Sequence, residues 1–259
     1  MKNLIKNFPV FIIVVIVVFI LIPIPTILLD ILITVNLAFP ILILLIVVSA
    51  KAIKEFKLLP TAILLSTIFS LAVNINTVRL ILTKGADFDG RLIRFISLPL
   101  LNSGTTGQII GYTIFILSTF VLAIIIAKGG THVSETAVRF TLDNMQVKLM
   151  AIVDELRSGA ITEEEAELRK KKIQQESDFL CSIDGASKFV SGNAKLVIFT
   201  TIVIILAGVL MEYFYRNTSI NDTISTYIGF SAGMGVLFMF PPFLLSAVMR
   251  ITVKKVMFL

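Results

Sequence analysis

Residues 108–127 read QIIGYTIFILSTFVLAIIIA, which is 20 residues without one charged side chain. A helix of about 20 apolar residues crosses the hydrocarbon core of a bilayer, because each residue lengthens the helix by about 1.5 Å and the core is about 30 Å thick. The stretch therefore predicts a transmembrane helix. The composition agrees, since 56% of the chain is hydrophobic and 15% is charged, whereas soluble domains carry about 25% charged residues.

Further apolar stretches of similar length lie on both sides of this one. Together they predict about six spans, at residues 8–29, 31–50, 58–82, 108–127, 195–213 and about 224–249. The predicted fold class is therefore an all-α integral membrane protein. The first stretch is too long for the apolar region of a signal peptide, so we expect it to be retained. Pro241-Pro242 is expected to kink or break the last span.

The spans divide the chain into three predicted parts. Residues 1–127 hold four spans, residues 128–193 form a polar segment, and residues 194–259 hold two spans. Basic residues cluster in the N-terminal tail, in the loop after the second span, in the polar segment and in the C-terminal tail. Because Lys and Arg favour the cytoplasmic side, both termini and the polar segment are predicted to be cytoplasmic.

The polar segment is expected to form two helices. Apolar residues recur at helical spacing in the first helix, and Ser158-Gly159 breaks the pattern. Thr162 with Glu165 predicts a capping box at the start of the second helix. Gly185 and the run Ser191-Gly192-Asn193 are expected to end the polar segment before the fifth span. Outside the segment, residues 91–96 predict a short amphipathic helix lying along the membrane surface.

Ionisable and amide side chains within spans are costly, so each needs an explanation. We expect Asn36 and Asn74 to hydrogen-bond to neighbouring helices, and Arg79 to extend to the interface. Asp30 is interpreted as a helix-boundary carboxylate, with a role in an ion path as the second choice. Asp184 and Lys188 stand four residues apart at the entrance to the fifth span. They are either an ordinary ion pair or a group that binds and releases protons.

Signatures of enzymes are missing from the sequence. The chain has one histidine and one cysteine, and it has neither a phosphate-binding loop nor a dinucleotide fingerprint. We therefore expect no catalytic activity, no metal site and no cofactor. The net charge of +6 does not indicate nucleic-acid binding, because the basic residues stand at the ends of apolar stretches.

Three segments resemble the signature loop of the FHIPEP family, the export-gate membrane proteins of flagellar and virulence type III secretion. They are Arg139-Phe140-Thr141-Leu142-Asp143, Asp178-Phe179 and the run from Asp184 to Val190. The resemblance extends in order over roughly residues 20–215, and it includes Leu29-Asp30 with Asn36 and the third span through Asn74 and Arg79.

The resemblance implies a function. It implies an inner-membrane protein that forms a homo-oligomeric ring at the flagellar basal body, with other export-apparatus membrane proteins, exported proteins and the bilayer as partners. It also implies coupling of the proton motive force to export of unfolded proteins. The candidate residues for this coupling are Asp184 foremost, then Lys188, Arg139, Asp143, Asp178 and Glu135.

The sequence departs from the family pattern at several positions. Ser70 stands where the family usually has Arg, Gln146-Val147 where it has Pro-Gly, and Asn193 and Met234 where it has acids. The family also usually continues into about two more spans and a large cytoplasmic domain, which we expect to be missing here. Two alternatives therefore stay open: a stand-alone secondary transporter, and a truncated, non-functional homologue.

Overall fold

The computed structural model describes residues 22, 24–50, 58–101, 104–216 and 220–258. These residues form six α-helices and no strand: α1 Thr26–Ser49, α2 Leu59–Lys84, α3 Arg91–Leu101, α4 Gly104–Arg157, α5 Glu163–Arg216 and α6 Ile220–Phe258. A 3₁₀ turn, Gly85–Asp87, follows α2. All of the helices except α3 are long and apolar enough to cross a membrane. The all-α prediction is confirmed for this part of the chain.

The predicted first span, residues 8–29, lies mostly outside the described residues. Its predicted end at residue 29 is wrong, because residues 26–29 belong to the next helix. The helix that was expected to begin at residue 31 begins at Thr26, directly after Pro25 in extended conformation. Proline fixes its own φ and has no N–H to leave unpaired, so a helix starts readily after it. The charge of Asp30 had suggested a boundary there, but Asp30 lies within the helix.

Helices α4 and α5 are each 54 residues long and run without a break from the apolar spans into the polar segment. Gly185 and Ser191-Gly192-Asn193, which were expected to end the polar segment, lie inside the continuous helix α5. A glycine costs a helix interior about 1 kcal/mol, and the packing of α5 against α2, α4 and α6 outweighs that cost. The predicted turn is confirmed, since Gly159 has φ of 75° between the two helices.

Helix α6 packs against every other helix of the described chain. It passes through Pro241 and Pro242 without interruption, so the prediction of a break is wrong. Proline removes a helical hydrogen bond, but the buried surroundings of both rings keep the helix continuous. Close packing occurs at Gly233, where an added Cβ would lie 2.5 Å from the carbonyl oxygen of Ile93 in α3.

Helix α3 confirms the predicted helix near residues 91–96, and it packs on α6 through the buried side chain of Ile93. Phe88, just before α3, meets Phe230 edge to face with ring centroids 5.4 Å apart. The end of the bundle that carries α3 is called the α3 end below, and the opposite end, where α4 and α5 extend beyond the other helices as residues 128–193, is called the hairpin end.

Asp30 proves to be a helix-boundary carboxylate, but for a helix distant in sequence. Its two carboxylate oxygens accept hydrogen bonds from the backbone N–H groups of Arg91, at 3.0 Å, and Leu92, at 3.3 Å. These amides are among the first in α3 and have no partner within that helix. Asp30 therefore caps α3 and ties it to α1.

Asp30→Ala is expected to weaken this cap by about 1 kcal/mol, the usual cost of losing an N-capping side chain. The amides of Arg91 and Leu92 should then exchange with deuterium faster, which mass spectrometry or NMR of the protein in detergent would detect. Asp30→Asn keeps an acceptor and should change exchange less. The control is Asp154→Ala, at an exposed position of α4. Equal exchange in Asp30→Ala and the parent protein would contradict the assigned cap.

Candidate functional site

Near the tip of the hairpin formed by residues 128–193, one arginine joins the two helices. Arg169 of α5 binds Glu155 of α4 at 2.8 Å and Glu165 of its own helix at 2.8 Å. Its hydrogen bond to Glu165, with the charges of both glutamates, raises the pKa of the guanidinium. The hydroxyl of Thr162 accepts a hydrogen bond from the N–H of Glu165 at 3.2 Å, which confirms the predicted N-cap.

Asp184 and Lys188 form an ion pair on successive turns of α5. The Nζ–Oδ2 distance is 2.9 Å, and the Asp184 side chain is 14% exposed against 67% for Lys188. Ile183 and Ser187, on either side of Asp184, are buried. The carboxylate is thus sheltered from solvent, while the ammonium that balances its charge remains in water.

A second ion pair lies on α4, where Arg139 Nη2 is 3.0 Å from Glu135 Oε1. The hydrogen bond and charge of Asp184, and then the charge of Glu135, raise the pKa of Lys188, so the lysine is cationic at any physiological pH. Four of the predicted residues thus form two ion pairs, one on each helix of the hairpin. We call Glu135, Arg139, Asp184 and Lys188 the four-charge cluster.

The other two candidates lie on exposed surfaces. Asp143 lines a shallow groove on α4 together with Glu135 and Arg139. The ion pair of Arg139 is made with Glu135, although Asp143 stands at the same spacing on the other side. Asp178 accepts a hydrogen bond from Gln174 at 2.9 Å, one turn away on α5. Neither aspartate is sheltered in the way that Asp184 is.

The amide side chains inside the bundle do not behave as expected. Asn36 and Asn74 are fully buried, and within the described part of the chain neither makes a side-chain hydrogen bond. The prediction that they bond to neighbouring helices is wrong for these residues. Ser70, Asn193 and Ser231 are similarly buried without a side-chain partner there. Arg79 is exposed, which agrees with a side chain that extends to the interface.

Sequence reasoning missed a polar contact at the α3 end. Glu212 of α5 is 5% exposed, and the hydroxyl of Tyr227 in α6 donates a hydrogen bond to its Oε2 at 3.0 Å. Glu212 lies one turn before the end of α5, so hydropathy alone assigned it to the margin of a span. The signal that could have found it was an acid inside the predicted span 195–213.

A lysine at the hairpin end was missed as well. The Lys255 ammonium of α6 donates hydrogen bonds to the carbonyls of Val47, Val48 and Ala50 at 2.8–2.9 Å. These carbonyls end α1, where the helix dipole favours a positive charge. Lys255 therefore fastens the end of α6 to the end of α1. The sequence indicated only a basic tail.

Comparison with known proteins adds independent evidence. The sequence profile of the FHIPEP family matches residues 16–257. The chain is 45% identical over 225 residues to the flagellar biosynthesis protein FlhA of Treponema pallidum and 44% identical to that of Borreliella burgdorferi, and each alignment covers 86% of this chain and 32% of the relative. It is 34% identical to the Bacillus subtilis protein of the same name, over 90% of this chain and 34% of the relative. The chain thus spans about a third of these relatives. No solved structure matches.

Proposed function

Because the chain belongs to the FHIPEP family, we propose that it is a membrane component of the flagellar protein-export apparatus. In this proposal it lies in the bacterial inner membrane and couples the proton motive force to the export of unfolded proteins. The observation that carries the proposal is the four-charge cluster, in which residues of two separate signature segments form ion pairs on the two helices of one hairpin. The relatives' name, flagellar biosynthesis protein, supports the flagellar system.

The cluster has the chemistry that such coupling needs. A proton that binds the partly buried carboxylate of Asp184 neutralises it, so that its ion pair with Lys188 is lost. The ammonium then loses its nearest anion and moves toward water or toward Glu135. Moving one charge through the membrane potential supplies about 2.3 kcal/mol per 100 mV. That energy exceeds the worth of an exposed ion pair, which is typically below about 1 kcal/mol.

The proposal includes an orientation and partners. The distribution of Lys and Arg supports a cytoplasmic hairpin and cytoplasmic termini. A homo-oligomeric ring, the other export-apparatus membrane proteins, the basal-body ring and the exported proteins are the proposed partners, within the lipid bilayer. Catalysis, a cofactor and nucleic acid have no part in this proposal.

The test is genetic. Deletion of the gene that encodes these residues should abolish secretion of flagellar filament protein and motility, and the intact gene should restore both. Collapse of the proton gradient by an uncoupler should stop the restored secretion. A deletion strain that swims and secretes normally would overturn the proposal and support a non-functional homologue.

The buried side chains of Asn36 and Asn74 favour a second candidate, a stand-alone secondary transporter. The unbroken course of α6 weighs against it, since such transporters bind substrate at interrupted helices. Purified protein that moves ions or a solute into liposomes without partner proteins would decide for the transporter.

A further inference from the structure

We propose that Glu212 is a proton-binding site inside the bundle and that Tyr227 holds its carboxyl group. This inference rests on the proposed function, because it supplies a proton acceptor at the end of the bundle opposite the four-charge cluster. It adds a residue that the signature segments do not contain.

Burial sets Glu212 apart from the other carboxylates. Among the described carboxylate side chains, that of Glu212 is buried, at 5% exposure, whereas the others are exposed or partly buried. It lies about 6 Å from the end of α5, at about 1.5 Å per residue. A proton from the solution at the α3 end therefore has a short distance to travel.

The contact with Tyr227 suits a group that alternates between charged and neutral forms. A buried carboxylate without hydrogen bonds is unfavourable by several kcal/mol, and the donated O–H of Tyr227 offsets part of that penalty. After a proton binds, the neutral carboxyl still accepts the hydrogen bond from Tyr227, and its desolvation penalty is lower because it carries no charge. The site can therefore hold both forms without a change of fold.

The backbone of α5 makes room for this contact. An added Cβ on Gly208, one turn before Glu212, would collide with the ring of Tyr227. Only glycine leaves space for the ring against α5 at that position. The fit brings the Tyr227 hydroxyl to Glu212 instead of leaving it in the apolar interior.

A buried hydroxyl lies further inward from this site. Ser231 follows Tyr227 one turn later on α6. The Ser231 hydroxyl is buried, and no described residue is its hydrogen-bond partner. Along α5 itself, Asn193 lies between Glu212 and Asp184, which are about 42 Å apart at about 1.5 Å per residue. The two carboxyl groups thus mark the two ends of the apolar part of one helix.

Other ionisable groups also lie at the α3 end. From α4, Tyr112 donates to the carbonyl of Ser225 at 3.1 Å. From α2, Lys84 pairs with Asp89. The side chains of Arg216 and Asp222 lie outside the described residues. Of the described groups, Glu212 combines a carboxyl with burial inside the helical bundle.

Infrared difference spectroscopy of the protein in lipid vesicles tests the proposal. As the pH is stepped from alkaline to acidic, the parent protein should gain a C=O band from a protonated carboxyl in an apolar environment. Glu212→Gln keeps the size and the acceptor oxygen and should lose this band. The matched control is Glu167→Gln, at an exposed position of α5, which should keep the band. Tyr227→Phe should keep the band and move it to higher frequency, because a hydrogen bond to the carboxyl is lost.

The outcomes of this experiment test the Glu212 site separately from the proposed role in export. A band that persists in Glu212→Gln, or its absence from the parent protein, would overturn the assignment even if secretion depends on Asp184. An unshifted band in Tyr227→Phe would overturn the role of Tyr227. Loss of the band in Glu212→Gln with normal secretion would support the proton site and show that export does not use it. If Glu212→Gln fails to insert, the Tyr227→Phe shift still decides whether the carboxyl at this contact binds the proton.

Discussion

Asp184→Asn is expected to reduce secretion of flagellar proteins to background while the protein still inserts into the membrane at its normal level. Asparagine has nearly the same shape as aspartate but can neither accept a proton nor form an ion pair. The variant therefore leaves Lys188 beside a neutral side chain. Since the carboxylate is 14% exposed, solvent supplies little compensation. The measurement is filament protein in the culture medium against the amount in the membrane fraction.

The matched controls distinguish charge from structure. Asp154→Asn removes an exposed carboxylate from the same hairpin and should leave secretion unchanged. Asp184→Glu retains a titratable carboxyl and should retain part of the secretion. Normal secretion by Asp184→Asn would exclude the assigned role, and equal defects in both asparagine variants would show that the hairpin tolerates no loss of charge at either site.

Gly233→Ala should clearly lower the stability of the bundle. Its Cβ would lie 2.5 Å from a backbone carbonyl oxygen of α3, which cannot rotate away as a side chain would. Overpacking of this kind typically costs about 1–3 kcal/mol, and it would lift α3 from α6. The free energy of unfolding in detergent micelles measures the effect.

Gly192→Ala is the matched comparison, because an added Cβ there meets no atom within 4 Å. Alanine is the better helix former by about 1 kcal/mol, so this variant should be as stable as the parent or more stable. If Gly233→Ala unfolds at the same denaturant concentration as Gly192→Ala, the close contact between α3 and α6 is not present in the protein.

Local patterns in the sequence predicted much of this architecture. Runs without charge located the spans, and Ser158-Gly159 with Thr162 located the turn and cap of the hairpin, because these signals depend on neighbours a few residues away. The signature segments also identified Arg139, Asp184 and Lys188 of the four-charge cluster. The resemblance, rather than the spacing alone, gave those residues a function.

Contacts between distant residues could not be predicted in this way. Asp30 caps a helix that begins 61 residues later, and Tyr227 reaches Glu212 across a helical hairpin. The continuity of α5 through Gly185 and of α6 through Pro241 depends on packing, which outweighs local helix propensity. A sequence read in short windows contains no information on that balance.

The unbroken course of α5 has a mechanical consequence. A helix of 54 residues is a rod about 80 Å long that carries the four-charge cluster partway along it and Glu212 near its far end. With α4 antiparallel beside it and a short turn at the tip, the polar part of each helix continues into its apolar part without an intervening loop. A displacement of the tip is therefore carried toward the bundle by the backbone hydrogen bonds of two helices and not by a flexible linker.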